Sequence, residues 1–137
     1  MLRILHTADW HLGQTFFGYD RDEEHEAFLS WLIDILTLRQ TDVLLIAGDV
    51  FDVANPSAAA QRRFFRFLRE ANRRNPQLQI VIIAGNHDSA ARLEAPIPLL
   101  EELNTSIVGA VPRTDLCKID FDSLLIPLYN KEGKREA

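Results

Sequence analysis

The chain has 137 residues, 47% of them hydrophobic, which is enough for one compact domain with a core and too few to expect two. A formal net charge of −5, from 20 acidic against 15 basic residues, sets the overall field against a polyphosphate backbone, so any nucleic-acid role must come from local patches or bound cations. The single cysteine, Cys117, excludes an internal disulfide framework, and no apolar run approaches the roughly 20 residues of a membrane span, so the expected setting is cytoplasmic with no membrane partner.

In chain order, RILHT (3–7) predicts a first short, Ile/Val/Leu-type strand, with His6 inside it as a structural residue rather than a ligand. The following GQTFFGYDR offers Phe16, Phe17, Tyr19 and Arg21 in a loop; aromatics with arginine can engage nucleotides, and loop packing explains them equally well. Residues 24–38 carry Phe28, Trp31, Leu32, Ile35 and Leu36 at helical spacing. His25 opens that helix in HEAFL, which lacks the second histidine of a zinc-protease motif, and reads as solvated. DVLLIA (42–47) predicts a second strand, residues 57–72 a second helix packed through Ala60, Phe64, Phe67, Leu68 and Ala71, and QIVIIA (79–84) a third strand. On the second helix Arg62, Arg66, Arg69 and Arg73 form a basic stripe, either a solvated face or a phosphate-tracking one.

The βαβαβ order predicts an α/β fold with a parallel sheet and right-handed crossovers. Beyond it are expected a helix at 98–103, a short strand in SIVGAV (106–111) and a hairpin of LCKIDF and SLLIPLY around an Asp-Ser turn. Residues 1–129 thus form the domain, and the polar tail 130–137 is expected to fray. No GxGxxG, GxxxxGK[ST] or GxSxG occurs, so phosphate-cradling nucleotide loops and a serine-hydrolase elbow are absent.

In open α/β sheets functional groups gather beyond the carboxyl ends of the strands. All three strands here end in potential metal donors: Asp9 and His11 in ADWH, Asp49 and Asp52 in GDVFD, and Asn86, His87 and Asp88 in GNHD. Singly each motif is ordinary cap or turn vocabulary; three in register after successive strands point to one metal site. Carboxylate, amide and imidazole donors without thiolate suit Mn, Fe or Zn.

DWH, GDVFD and GNHD resemble the first three signature motifs of calcineurin-like metallophosphoesterases. More narrowly, ILHTADWHLGQ, AGDVFD and AGNHDS are similar to the SbcD-type nuclease subunits of bacterial SbcCD complexes. The resemblance covers the N-terminal part of that family's catalytic domain. It implies an αββα sandwich, of which this chain would hold the βαβαβ portion, the short strand and the hairpin. It also implies two divalent ions, typically manganese, DNA as substrate for exonuclease and endonuclease action in repair and recombination, an SbcC-type ATPase partner and a homodimer. Carried over by position, Asp9 and His11 would hold one ion, Asp49 bridge both and Asn86 hold the other. His87 would face the scissile phosphate with Asp52 orienting its ring, and Phe17, Tyr19 and Arg21 would lie where the family contacts DNA. The helix near 57–65 and the segment 93–103 are the corresponding candidate dimer surfaces, with Leu93, Ile97, Leu100 and Leu103 apolar enough for that or, equally, for the intramolecular core.

The family completes its metal shells with later histidines, including a GHxH motif. Here histidine stands only at 6, 11, 25 and 87, so half a shell is expected, with weak metal binding and poor cleavage. Hydrolysis of another phosphate ester, or a non-catalytic dimerising or DNA-binding role, are the competing readings.

Overall fold

The computed structural model describes residues 1–94, 100, 102–111, 113 and 118–137, with Ser123 described in its backbone only. Four strands, β1 (Ile4–Thr7), β4 (Val43–Ala47), β5 (Gln79–Ile83) and β6 (Thr105–Val108), form one parallel sheet in the order β1-β4-β5-β6. A two-residue pair, β2 (Thr15–Phe16) and β3 (Tyr19–Asp20), makes a separate antiparallel hairpin. The helices are α1 (Asp22–Leu38), α2 (Ala58–Arg74) and α3 (Ala90–Glu94).

Alternation along the strands sends Leu44, Ile46, Ile80 and Ile82, all fully buried, to the face that meets α1 and α2. The opposite face is less covered: Ile4 and Ile83 are 53% and 43% exposed, and His6 is exposed outside any metal-ligating cluster among the described residues. The second helix follows the expected spacing, burying Ala60, Phe64, Phe67, Leu68 and Ala71, and Ser57 caps its start by accepting from the Ala60 amide at 3.1 Å.

The first helix is rotated from the expected face. It buries His25, Leu29, Leu32, Ile33 and Leu36 and leaves Trp31 55% exposed. His25 is therefore not solvated. The face follows the apolar stripe of Leu29, Leu32, Ile33 and Leu36, and at its start Arg63 of α2, itself buried, reaches Asp22 at 2.8 Å and Glu26 at 2.9 Å beside His25.

The hairpin expected around residue 122 takes another form. Asp122–Leu124 is a single 3-10 turn, no ladder joins its arms among the described residues, and Leu116 and Cys117 lie outside them. Phe121 and Leu125 are 69% and 74% exposed, so the alternation there has no second layer to pack against. The reversal comes later, in the tail expected to fray. Tyr129 pairs antiparallel with Arg135, and the Lys131 amide donates to the buried Asp42 carboxylate at 3.1 Å, which also accepts from the Arg3 amide at 2.7 Å. Of the helix expected at 98–103, residues 98, 99 and 101 lie outside the described residues. Leu93 and Leu100 are buried in the core, which removes them from an exposed dimer surface.

Burial of His25, reinforced by Arg21 and Arg63 and opposed by Asp22 and Glu24, lowers its pKa, and its Nδ1 has no hydrogen-bond partner. The unfolded chain then binds the proton more readily, so this site costs stability as pH falls below about 6.5, until the lowered folded pKa is reached. His25→Leu should lose less Tm than the parent between about pH 7.5 and about pH 5.5, the range that spans an ordinary histidine pKa. Parallel Tm curves for the two proteins would show that His25 is not the titrating group.

Candidate metal centre

Beyond the sheet's carboxyl edge, the pairing of β1 with β4 continues into the loops. The amides of Asp9, His11 and Leu12 donate to the carbonyls of Gly48, Asp49 and Val50 at 3.2, 3.0 and 2.9 Å. Within residues 9–12 the side chains alternate: Asp9 and His11 face the cleft, while Trp10 and Leu12 are 5% and 1% exposed. Trp10 stands edge-on against Phe67, Phe28 and Phe64 at 5.1, 5.8 and 6.3 Å and donates from Nε1 to Thr7 Oγ1. Each such aromatic pair contributes about 0.5–1.5 kcal/mol beyond area burial, which anchors the backbone beneath the two cleft-facing donors.

Asp9, His11 and Asp49 each present a donor atom, all within 4.8 Å of one another. His11 Nε2 is 4.0 Å from both Asp9 Oδ1 and Asp49 Oδ2. A cation binding nitrogen and oxygen at about 2.0–2.2 Å fits between donors so spaced. All three residues hold left-handed backbone, with φ of 55°, 47° and 47°. Such conformations cost on the order of 1–3 kcal/mol each in non-glycine residues and concentrate at functional sites.

The third loop is tied to the second by Asp88. Its Oδ2 accepts from the Val50 and Gly85 amides at 3.1 and 2.9 Å, and its Oδ1 from Phe51 at 2.9 Å, so this carboxylate serves the scaffold. The Asp49 Oδ1 accepts from the His87 amide at 3.0 Å while Oδ2 faces His11, leaving one oxygen toward each loop. Asn86 is exposed in the same turn, beside the cleft.

The His87 ring lies 5.3 Å from that of His11, and its Nδ1 is 2.9 Å from the Asp52 main-chain carbonyl. Asp52 thus meets His87 through the backbone. Its carboxylate instead approaches His11, with Oδ1 3.2 Å from Nδ1. That contact lies off the axis of a formed hydrogen bond, leaving the buried His11 Nδ1 otherwise unpartnered. Gln14, which the sequence alone does not single out, donates to the same Asp52 oxygen at 3.3 Å and accepts from Arg21 at 2.7 Å. Phe17 and Tyr19 are 87% and 79% exposed at the hairpin tip, whereas Arg21 is engaged with Gln14 and Glu24.

Carboxylate and imidazole donors from the loops after β1 and β4, with the His87 ring of the third loop beside them, make a candidate metal centre at the carboxyl edge of a parallel sheet. A family model for calcineurin-like phosphoesterases matches residues 2–132, and the chain belongs to that family. It is 51% identical over 136 residues to the SbcD subunit of the nuclease SbcCD from Rhodobacter capsulatus, an alignment covering 99% of this chain and 33% of that one. The Escherichia coli K12 protein of the same name is 40% identical over 133 residues, 88% of this chain and 33% of its own. That of Bacillus subtilis is 42% identical over 122 residues, 89% and 31% respectively. The chain spans about one third of the length of these relatives.

Two outcomes follow from the geometry. A Cβ at Gly85 would sit 2.1 Å from Asp49 Oδ1 and 2.3 Å from the Asp49 amide nitrogen, and the backbone atom cannot move aside cheaply. Gly85→Ala should therefore lower stability by about 1–3 kcal/mol in urea unfolding, as overpacking does elsewhere. An unchanged midpoint would mean that the two loops are not in contact. Separately, the Asp52 carbonyl at Nδ1 raises the His87 pKa, partly opposed by burial and reinforced by Asp49, Asp52 and Asp88. The stabilisation this gives is full below about pH 6.5 and fades as pH rises through the elevated value. An NMR titration of the metal-free chain should place His87 above a free histidine, and a normal or depressed midpoint would contradict the carbonyl contact.

Proposed function

We propose that this chain is the metal-binding, N-terminal portion of an SbcD-type nuclease that hydrolyses DNA phosphodiesters. The supporting observation is the Asp9–His11–Asp49 cluster, three strained donors with separations that suit a divalent ion. In this reading Asp9 and His11 hold one ion, Asp49 lies between two, and Asn86 contributes to the second. Manganese is the proposed metal, with iron or zinc compatible with the same donors. Bound divalent ions supply Lewis-acid polarisation of the phosphoryl group and acidify water.

The chain's own residues orient the reaction. His87, fixed at Nδ1 by the Asp52 carbonyl, turns Nε2 toward the cleft, where a proton on it stabilises charge developing on phosphate or the leaving oxygen. Phe17 and Tyr19 are exposed on the β2–β3 hairpin and would offer stacking surface to bases. Phe17 heads the turn with φ 49° and Gly18 follows at 82°, a two-residue turn that holds a bulky aromatic in a costly conformation at the tip. Arg21 supports that hairpin from its base.

The same reading carries an SbcC-type ATPase partner, a role in DNA repair and recombination, a cytoplasmic setting and a homodimer. Among the described residues, no helix is long and apolar enough to cross a membrane.

With histidine absent after His87, the donor set favours weak ion binding and poor turnover by the 137-residue chain itself. Manganese EPR titration should detect a weak site that Asp49→Ala weakens further by about 10-fold or more, the usual scale for disturbing a metal site. Linear duplex DNA and a chromogenic phosphodiester should be cleaved slowly if at all. Absence of any Asp49-dependent manganese site would overturn the metal assignment, and a robust Asp49-dependent rate would overturn the half-shell reading.

A further inference from the structure

Residues 14 and 21 close the base of the β2–β3 hairpin twice over. The Arg21 amide donates to the Gln14 carbonyl at 3.3 Å, and Arg21 Nη1 donates to Gln14 Oε1 at 2.7 Å. Glu24 holds the rest of the guanidinium through Nε and Nη2, both at 2.6 Å, so Arg21 is fixed from the first turn of α1. The other end of the Gln14 amide points into the metal loops, where Nε2 donates to Asp52 Oδ1 at 3.3 Å, and that oxygen is 3.2 Å from His11 Nδ1. His11 Nδ1 is buried with no formed hydrogen bond, and Asp52 Oδ1, off the hydrogen-bond axis at 3.2 Å, is the acceptor within reach of it.

We propose that Gln14 and Arg21 are positioning residues for His11, a relay that joins the aromatic hairpin to the metal-ligating imidazole through Asp52. Arg21 orders the Gln14 amide, Gln14 turns the Asp52 carboxylate, and Asp52 holds the proton on Nδ1 so that the Nε2 lone pair faces Asp9 and Asp49. A ligand that moves Phe17 or Tyr19 then shifts the base of the hairpin and, through it, the His11 ring. The relay rests on the metal-site reading for its purpose, while its Arg21–Gln14 and Gln14–Asp52 hydrogen bonds are present without metal.

Two measurements separate these. In the metal-free chain at about pH 8, above an ordinary histidine pKa, long-range nitrogen–proton NMR reads the His11 tautomer. The parent should be locked as Nδ1–H. Gln14→Glu keeps an acceptor for Arg21 and removes the donor to Asp52, so the lock should loosen toward a mixture. Arg21→Ala should loosen it too, and Arg21→Lys, which retains a donor, should restore it in part. Manganese affinity by EPR should fall about 10- to 100-fold in Gln14→Glu and Arg21→Ala, the range typical of groups behind a ligand, with circular dichroism unchanged. Should Gln14→Glu unfold, Gln14→Leu carries the same test.

An Nε2–H tautomer in the parent, or variants that alter neither tautomer nor affinity, would overturn the relay. A locked tautomer that responds to Gln14 and Arg21 in a chain showing no Asp49-dependent manganese binding would uphold the relay and remove the metal reading instead.

Discussion

The carboxylate of Asp88 accepts three main-chain hydrogen bonds, from Val50, Phe51 and Gly85, and the rest of the site depends on it. Hydrogen bonds to an ionised acceptor contribute roughly 1.5–3 kcal/mol each, against about 1 for neutral pairs. Here they also fix geometry, since they hold the loops after β4 and β5 close enough that only glycine fits at position 85. With those loops locked, Asp49 has a single place to stand. One of its oxygens meets the His87 amide and the other meets His11, so a scaffold bond made by Asp88 sets the position of the most central donor in the cleft.

The first loop reaches the same cleft by a different device. Its backbone runs beside the second loop, extending the β1–β4 pairing beyond the sheet, and its side chains alternate between donor and anchor. Trp10 and Leu12 are drawn into the aromatic cluster of α1 and α2, which leaves Asp9 and His11 no direction except outward. Hydrophobic packing on one side thus offsets left-handed backbone on the other. The strain persists because the anchors are buried among Phe28, Phe64 and Phe67, not because the donors satisfy one another.

Much of this is legible in the sequence, and the parts that are not have identifiable causes. Short apolar runs mark β1, β4 and β5 to within a residue, while the run at 106–111 overshoots β6, and the first two motifs hold the Asp9–His11–Asp49 cluster, because strand ends and turn residues are local signals. The helix α1 is broadly apolar and carries two overlapping stripes, of which Leu29, Leu32, Ile33 and Leu36 are buried. The choice between them involves the partner helix, including a contact 37 residues away in sequence for Arg63 and Glu26. His25 lies on the buried stripe and goes in with it. Gln14 closes the ILHTADWHLGQ stretch, but the stretch gives it no role, and its meaning comes only from what lies at its two ends. Asp88 reads as one more donor by composition, whereas three amides pointing at it make it a tie. The alternation of 123–129 reads as a strand, but alternation specifies a face only where another layer covers it.

Electrostatics explains why these devices are needed together. Asp9, Asp49, Asp52 and Asp88 crowd one edge of a domain whose net charge is already −5, and like charges at such spacing oppose the folded arrangement. Asp88 answers with three amides, Asp52 with Gln14 and the nearby His11 ring, and Asp49 with the His87 amide. Asp9 is the exception, its side chain 71% exposed and its nearest ion-pair contact among the described residues the His11 ring at 4.0 Å. Backbone strain therefore falls on Asp9, His11 and Asp49, carboxylate repulsion falls on the two aspartates among them, and a cation placed between the three relieves the repulsion while leaving the anchored backbone as it is. Binding of that kind adds its free energy directly to the stability of the loops. The least satisfied part of the fold is thereby also the part with the most to gain from a ligand.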